Sequence, residues 1–200
     1  MAMFRADNES EKPSEPAAPA GGKIVENLFK ARTILLFGEI NQKVAQSTAA
    51  QLLALAEENA DPIRMIMHSQ GGHVESGDTI HDMIAFVRPK VFMIGTGWVA
   101  SAGVHIYLAA QKERRFCLPN TRFMIHQPAG GTGGPASDIA IEAKEIIKMR
   151  KRINETIAKA TGQPFEKVER DTDRNFWMSA EEARDYGIVS HIVKSIDEVK

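Results

Sequence analysis

Short apolar segments alternate with helical patterns along most of the chain. Buried strands are predicted at 34–37, 63–67, 91–95, 115–118, 122–126 and 188–193. Helices are predicted at 42–59, 76–87 and 101–110. Because strands and helices alternate, the pattern predicts an α/β fold with largely parallel strands and right-handed connections.

The second half of the chain begins with a different pattern. Residues 129–135 are glycine-rich, and a long amphipathic helix follows and ends at Gly162. Its apolar stripe consists of an alanine and five isoleucines at 139, 143, 146, 147, 153 and 157. This stripe suits either the core or a partner subunit. Ser179 and Glu182 form a capping-box pattern that opens a short helix, which Gly187 closes.

The first 22 residues differ from the rest of the chain. They are polar, contain Pro13, Pro16 and Pro19, and end in two glycines. A segment of this composition buries too little apolar surface to offset the entropy cost of ordering. We therefore predict a disordered, acidic and proline-rich arm over residues 1–22 and one folded domain over 23–200.

Composition narrows the function classes. The chain has 25 basic and 26 acidic residues, a net charge of −1, which argues against a nucleic-acid-binding protein. The single cysteine, Cys117, excludes an internal disulfide framework and is interpreted as a small buried side chain. No apolar run is long enough to cross a membrane and no signal peptide is recognisable, so we predict a cytoplasmic protein without membrane contact.

Two segments of small residues are candidates for chemistry. Gly71 and Gly72 follow a strand, where paired glycines either bring backbone N–H groups close to a ligand or simply form a turn. Ser101 lies at a strand-to-helix junction, where a nucleophilic hydroxyl would be accessible and helix N–H groups would be near. The alternative is that Ser101 only caps the helix.

His126 ends an apolar strand in the sequence Met-Ile-His-Gln-Pro. An imidazole there can remove a proton from a serine near neutral pH, or it can be a hydrogen-bonded core histidine. The other five histidines show no metal-ligand spacing, so no metal site is predicted. Among them, His73 is of interest because it follows the glycine pair directly.

The order and spacing of three motifs resemble the ClpP family of serine peptidases. The motifs are S-x-G-G at 69–72, G-x-x-A-S-A-G at 97–103 and M-I-H-Q-P at 124–128. Further matches surround them, at FGEI (37–40), TGQ (161–163), ERDT (169–172) and SAEEA (179–183). The resemblance extends from about Ile24 to Val193.

The resemblance implies a fold and a set of residue roles. The fold would be the ClpP/crotonase-type spiral of β-β-α units, with a protruding strand-helix handle at about 127–160. Ser101 would be the nucleophile, His126 the general base, and the N–H groups of Gly72 and Ala102 the oxyanion hole. The substrate peptide would bind as an added strand along Gly130, Gly131, Gly133 and Gly134.

The resemblance also implies an assembly with partners. Stacked heptameric rings, a tetradecamer of this chain alone or with a paralogous subunit, would enclose the active sites. Substrates would be unfolded polypeptides and peptides. An AAA+ Clp unfoldase would deliver them and use ATP, whereas the subunit itself would need no cofactor. Arg64 and Ile66 replace the aromatic residues usual in the unfoldase-docking pocket, which weakens the expectation of docking.

One position departs from the family pattern at the site. The third triad member is an aspartate in the family, and the matching residue here is Asn175. An amide oxygen can still orient the imidazole but supplies no charge, so a slow peptidase is predicted. Asp171 and Asp173 are nearby candidates to replace the missing carboxylate.

Two alternatives to an active peptidase stay open at this stage. Asn175 and the unusual arm fit a weakly active or regulatory paralogous ring subunit. The spiral fold and the oxyanion hole also fit a crotonase-like acyl-CoA enzyme, for which Glu75 is the only nearby acid–base candidate.

Overall fold

The structure is a computed structural model that describes residues 20–131 and 133–200. Residues 1–19, most of the predicted arm, lie outside the described residues. The last three residues of the predicted arm belong to a helix, α1, which spans Ala20–Lys30. Phe29 packs against the core and gives this helix an apolar contact, although two glycines stand in its first turn.

The described part of the chain contains seven strands and six further α-helices. The strands are β1 (Thr33–Ile40), β2 (Ile63–Gly72), β3 (Val91–Ala100), β4 (Arg115–Cys117), β5 (Arg122–Ile125), β6 (Phe176–Met178) and β7 (His191–Ile192). The helices are α2 (Gln42–Glu58), α3 (Val74–Phe86), α4 (Ala102–Tyr107), α5 (Ala136–Thr161), α6 (Phe165–Asp171) and α7 (Ala180–Tyr186). Two 3₁₀ helices lie at Lys112–Arg114 and Ile196–Glu198.

The strands form one mostly parallel sheet in the order β1-β2-β3-β4-β7, as the alternating pattern predicted. The second half of β3 leaves β4 and pairs in parallel with β5, with Ala100 opposite Met124. β6 then runs antiparallel to β5. Because β3 and β5 are parallel and end side by side, the residues that follow them meet at one edge of the sheet.

Four elements differ from the sequence prediction. Helices α1 and α6 and strand β6 were not predicted, and a three-residue strand such as β6 is too short to show a period. The strand expected in the handle is wrong for the described residues: 127–131 and 133–135 form no strand, so α5 alone makes the handle there.

The main core lies between the sheet and the helices that cover it. Ile34, Met65 and Met93, from three neighbouring strands, are almost completely buried there. The isoleucine stripe of α5 was predicted to face either the core or a partner subunit, and it divides into a buried and an exposed part. Ile153 and Ile157 are buried in the core, whereas Ile139 and Ile147 are exposed. Ile147 retains 67% of its accessible surface.

Cys117 is a free, buried cysteine, as interpreted from the sequence. Burial raises the pKa of its thiol to about 12, which leaves it unreactive. Across 20–131 and 133–200, none of the helices combines the length and apolar character that crossing a bilayer requires.

Candidate active site

Ser101 lies at the junction of β3 and α4 in an unusual backbone conformation, with φ 56° and ψ −124°. A non-glycine residue there stores about 1–3 kcal/mol of strain. Two backbone hydrogen bonds hold it in place: its N–H donates to Met124 O over 2.8 Å, and its carbonyl accepts from Val104 N–H over 2.9 Å. The Ser101 hydroxyl makes no capping hydrogen bond to α4, so the alternative that it is only a helix cap is wrong.

His126 directly follows β5 and lies between Ser101 and Asn175. Its Nε2 is 2.7 Å from Ser101 Oγ, and its Nδ1 is 3.1 Å from Asn175 Oδ1. An amide oxygen can only accept a hydrogen bond, so the imidazole proton belongs on Nδ1 and Nε2 accepts from the serine hydroxyl. The ring is half-buried rather than enclosed in the core.

Asn175 stands directly before β6, and its side chain is exposed. The two aspartates that could have replaced it are engaged elsewhere. Asp171 accepts from the Tyr186 hydroxyl over 2.9 Å, and Asp173 lies 3.5 Å from a guanidinium group of α5. Asn175 is therefore the residue that supplies the oxygen next to His126 among the described residues.

The glycine pair packs tightly against the Ser101 segment. Gly71 and Gly72 have φ angles of 92° and 149°, which side chains rarely allow. A Cβ at Gly71 would lie 2.6 Å from Ser101 Cβ and 3.0 Å from Ala102 N, and one at Gly72 would lie 2.3 Å from Ile40 O. The pair is thus more than an ordinary turn. The structure brings it beside Ala102, while the oxyanion role of the two N–H groups stays a prediction.

A narrow pocket of about 20 Å³ opens beside Ser101, with room for about one water molecule. Its walls are mostly apolar and come from β5, α3, α4 and α5. The lining residues are Val74, Ser101, Ala102, His105, Ile125, His126, Pro128, Ile153 and Ile157. A pocket of this size cannot hold a substrate side chain unless its walls move.

His105 is a polar residue in that pocket that the sequence did not single out. Its Nε2 is 2.9 Å from Asp78 Oδ1, although the two are not aligned as a hydrogen bond. Burial lowers the pKa of His105 to about 4 and outweighs the neighbouring carboxylate. Arg152 binds Asp78 through two hydrogen bonds of 2.8 and 2.7 Å. Burial raises the pKa of Asp78, but Arg152 outweighs this and lowers it overall.

The remaining predicted residues lie around this centre. Gly130, Gly131, Gly133 and Gly134 are exposed after β5, and their role in binding substrate stays a prediction. His73 instead caps α3, because its Nδ1 accepts from Ser76 N–H over 3.3 Å. Glu75 lies 3.2 Å from His73 Nε2. Within the described ranges, no group of three or more His, Cys, Asp or Glu side chains is arranged to hold a metal ion.

A serine hydroxyl, an imidazole and an amide oxygen, joined in that order beside a strained backbone turn, are the arrangement of a serine hydrolase. A sequence profile described as Clp protease matches residues 17–196. The chain belongs to the Clp protease family.

Curated relatives cover almost the whole chain. ATP-dependent Clp protease proteolytic subunit 3 of Rhizobium etli is 58% identical over 189 residues, which are 94% of this chain and 97% of that protein. Proteolytic subunit 2 of Pseudomonas aeruginosa is 47% identical over 196 residues, 98% of both chains.

Solved structures agree with these relatives. ClpP1 from Listeria monocytogenes superposes with a TM-score of 0.81 at 57% identity, over 88% of this chain and 99% of that one. An asparagine-to-aspartate variant of ClpP1 from the same organism gives 0.83 at 58% identity, with the same coverage. The predicted ClpP fold and the predicted function, a serine-type proteolytic subunit of a Clp protease, are confirmed at this level. The crotonase alternative is not supported.

Proposed function

We propose that Ser101 and His126 cleave peptide bonds through an acyl-enzyme. Ser101 Oγ bonds to the peptide carbonyl carbon while its proton passes to His126 Nε2. The carbon–nitrogen bond then breaks, and the same proton goes to the leaving amine. Water repeats the attack with His126 as base, which releases the carboxylic acid and restores the serine. The N–H groups of Gly72 and Ala102 would bind the oxyanion in both steps.

The observation that carries this proposal is the continuous hydrogen-bond chain from Ser101 through His126 to Asn175, at 2.7 and 3.1 Å. These contacts support His126 as a base in the correct tautomer, with the Ser101 hydroxyl within hydrogen-bonding distance of it. Asn175 contributes orientation without charge, so the imidazolium formed during attack lacks the stabilisation that an aspartate provides. We therefore propose a slow peptidase.

The substrates, partners and location follow the resemblance as parts of the same proposal. The chain would form stacked heptameric rings, alone or with a paralogous subunit, in the cytoplasm. It would cleave unfolded polypeptides delivered by an AAA+ Clp unfoldase, with the substrate backbone along Gly130, Gly131, Gly133 and Gly134. Hydrolysis would require no cofactor, because the chemistry uses only side chains and water, and the unfoldase alone would use ATP.

A second candidate function, a regulatory ring subunit, is favoured by Asn175. If a neutral residue leaves the isolated chain almost inert, the chain can still contribute its surfaces to a mixed ring. Both functions use the same fold and differ in whether this chain's own serine turns over substrate.

The test combines assembly and activity. The purified full chain is sized by native mass spectrometry and assayed on a fluorogenic peptide, beside Ser101→Ala and with and without a paralogous ClpP subunit. Slow hydrolysis that Ser101→Ala abolishes is the expected result. Hydrolysis only in mixed rings, and unchanged by Ser101→Ala, would favour the regulatory function instead.

A further inference from the structure

The chain contains two tryptophans, and they stack on each other. The ring centroids of Trp98 and Trp177 are 5.9 Å apart, and their planes differ by 11°. Trp98 precedes Ser101 by three residues on β3, and Trp177 follows Asn175 by two on β6. The stack therefore connects the strand that precedes Ser101 to the strand that follows Asn175. Neither tryptophan is itself part of the hydrogen-bonded Ser101–His126–Asn175 series.

The stack also includes the strand that leads to His126. Arg122 of β5 is paired with Trp98 in the parallel ladder, and Met124 of the same strand is paired with Trp177. The Arg122 guanidinium carbon lies 4.4 Å from the Trp177 ring centroid, a cation–π contact. Three strands, each ending or beginning next to one member of the triad, are thus joined by side chains.

Asn175 needs such support more than an aspartate would. Its side chain is exposed, and its strand, β6, has three residues and pairs with β5 alone. A carboxylate would be drawn to the developing imidazolium by charge, whereas an amide contributes only a directional hydrogen bond. The Asn175 oxygen therefore depends on where its backbone is held.

We propose that Trp98 and Trp177, with Arg122 against Trp177, are positioning residues that hold Asn175 Oδ1 at His126 Nδ1. This inference rests on the proposed function. The proposed role of these three side chains includes no contact with the substrate. An aromatic stack of this kind changes the equilibrium between the positioned and the displaced arrangement by a factor of about two to ten. Because acylation needs the positioned arrangement, loss of the stack should slow acylation by about three- to tenfold.

The test measures how fast a fluorophosphonate labels Ser101 in the assembled full chain. Trp177→Leu and Trp98→Leu should each label about three- to tenfold more slowly, and Trp177→Phe should recover to within about twofold, because a smaller ring can still stack. Circular dichroism provides a direct readout of the stack, since coupled indoles give an exciton couplet that either leucine variant would lose. Phe92→Leu, at an aromatic pair on another part of the sheet, is the matched control and should label at the wild-type rate.

A double-mutant cycle separates positioning from general loss of structure. In an Asn175→Ala background, Trp177→Leu should have little further effect, because the oxygen it positions is gone. Equal slowing in both backgrounds would overturn the proposal. If the wild-type chain is not labelled at all, the proposed function fails, and crystal structures then decide this inference. A Trp177→Leu structure that keeps the 3.1 Å contact between Asn175 and His126 would contradict it.

Discussion

Two imidazoles in this molecule each have a side-chain oxygen from another element of the fold beside one ring nitrogen. His126 has Asn175, a neutral and exposed partner, and its other nitrogen contacts a serine hydroxyl. His105 has Asp78, a charged partner, and is 5% exposed. The histidine with the charged partner is the one without a role in the proposed chemistry. Burial holds the pKa of His105 near 4, and the Arg152 guanidinium neutralises the charge of Asp78.

The difference shows that partner charge alone does not make a histidine a base. A general base must be neutral at working pH, hydrogen-bonded in the right tautomer and open to its substrate. Asn175 satisfies the tautomer requirement, and the half-buried position of His126 satisfies the access requirement. His105 is neutral but enclosed, and its aspartate instead ties α3 to α5 through Arg152.

The largest change should come from removing the exposed imidazole. We expect His126→Ala to lower peptide hydrolysis by about 10³- to 10⁴-fold, because no other described side chain accepts the Ser101 proton. His191→Gln, on the exposed strand β7, is the control and should keep wild-type hydrolysis. Initial rates on a fluorogenic peptide measure both. Retention of more than a tenth of the activity in His126→Ala would place the base elsewhere.

Supplying the missing charge should have the next largest effect. Asn175→Asp should raise turnover by about 10²- to 10³-fold, because the carboxylate keeps the hydrogen bond to Nδ1 and stabilises the imidazolium. Asp173→Asn changes a carboxylate two residues away that does not bond to His126, so its turnover should stay within about threefold of wild type. Single-turnover acylation rates distinguish this chemical effect from assembly. An unchanged rate in Asn175→Asp would show that charge at this position does not limit the reaction.

The apolar pattern predicted the parallel sheet and placed Ser101 and His126 next to strand ends, whereas their roles as nucleophile and base were implied by the family resemblance. A buried strand can be recognised from its apolar residues. Functional residues at the ends of neighbouring parallel strands meet at one edge of the sheet. Asn175 could be assigned only through the family resemblance, since the three-residue strand after it carries no period. The Asp78–His105 contact and the tryptophan stack depend on packing between elements far apart in the chain, which residue spacing does not reveal.

The enclosed imidazole should be visible in the pH dependence of stability. The pKa of His105 is about 4 in the folded chain and 6.5 in its ordinary state, so the unfolded chain binds the proton first as pH falls. The contribution of neutral His105 to the free energy of unfolding is therefore complete above pH 6.5. It is lost as the pH falls from 6.5 to about 4. Wild type should lose about 2 kcal/mol more unfolding free energy than His105→Gln between pH 7 and pH 5. Thermal unfolding of both proteins at both pH values measures the difference, and parallel losses would contradict it.

The central claim is that the hydroxyl at position 101 becomes acylated, and covalent labelling tests it most directly. The full chain is treated with a fluorophosphonate, and the modified peptide is identified by mass spectrometry, beside Ser101→Ala. We expect one phosphonyl group per chain, attached to Ser101, and none in the alanine variant. Labelling of another residue, or no labelling of the assembled wild-type protein, would contradict it.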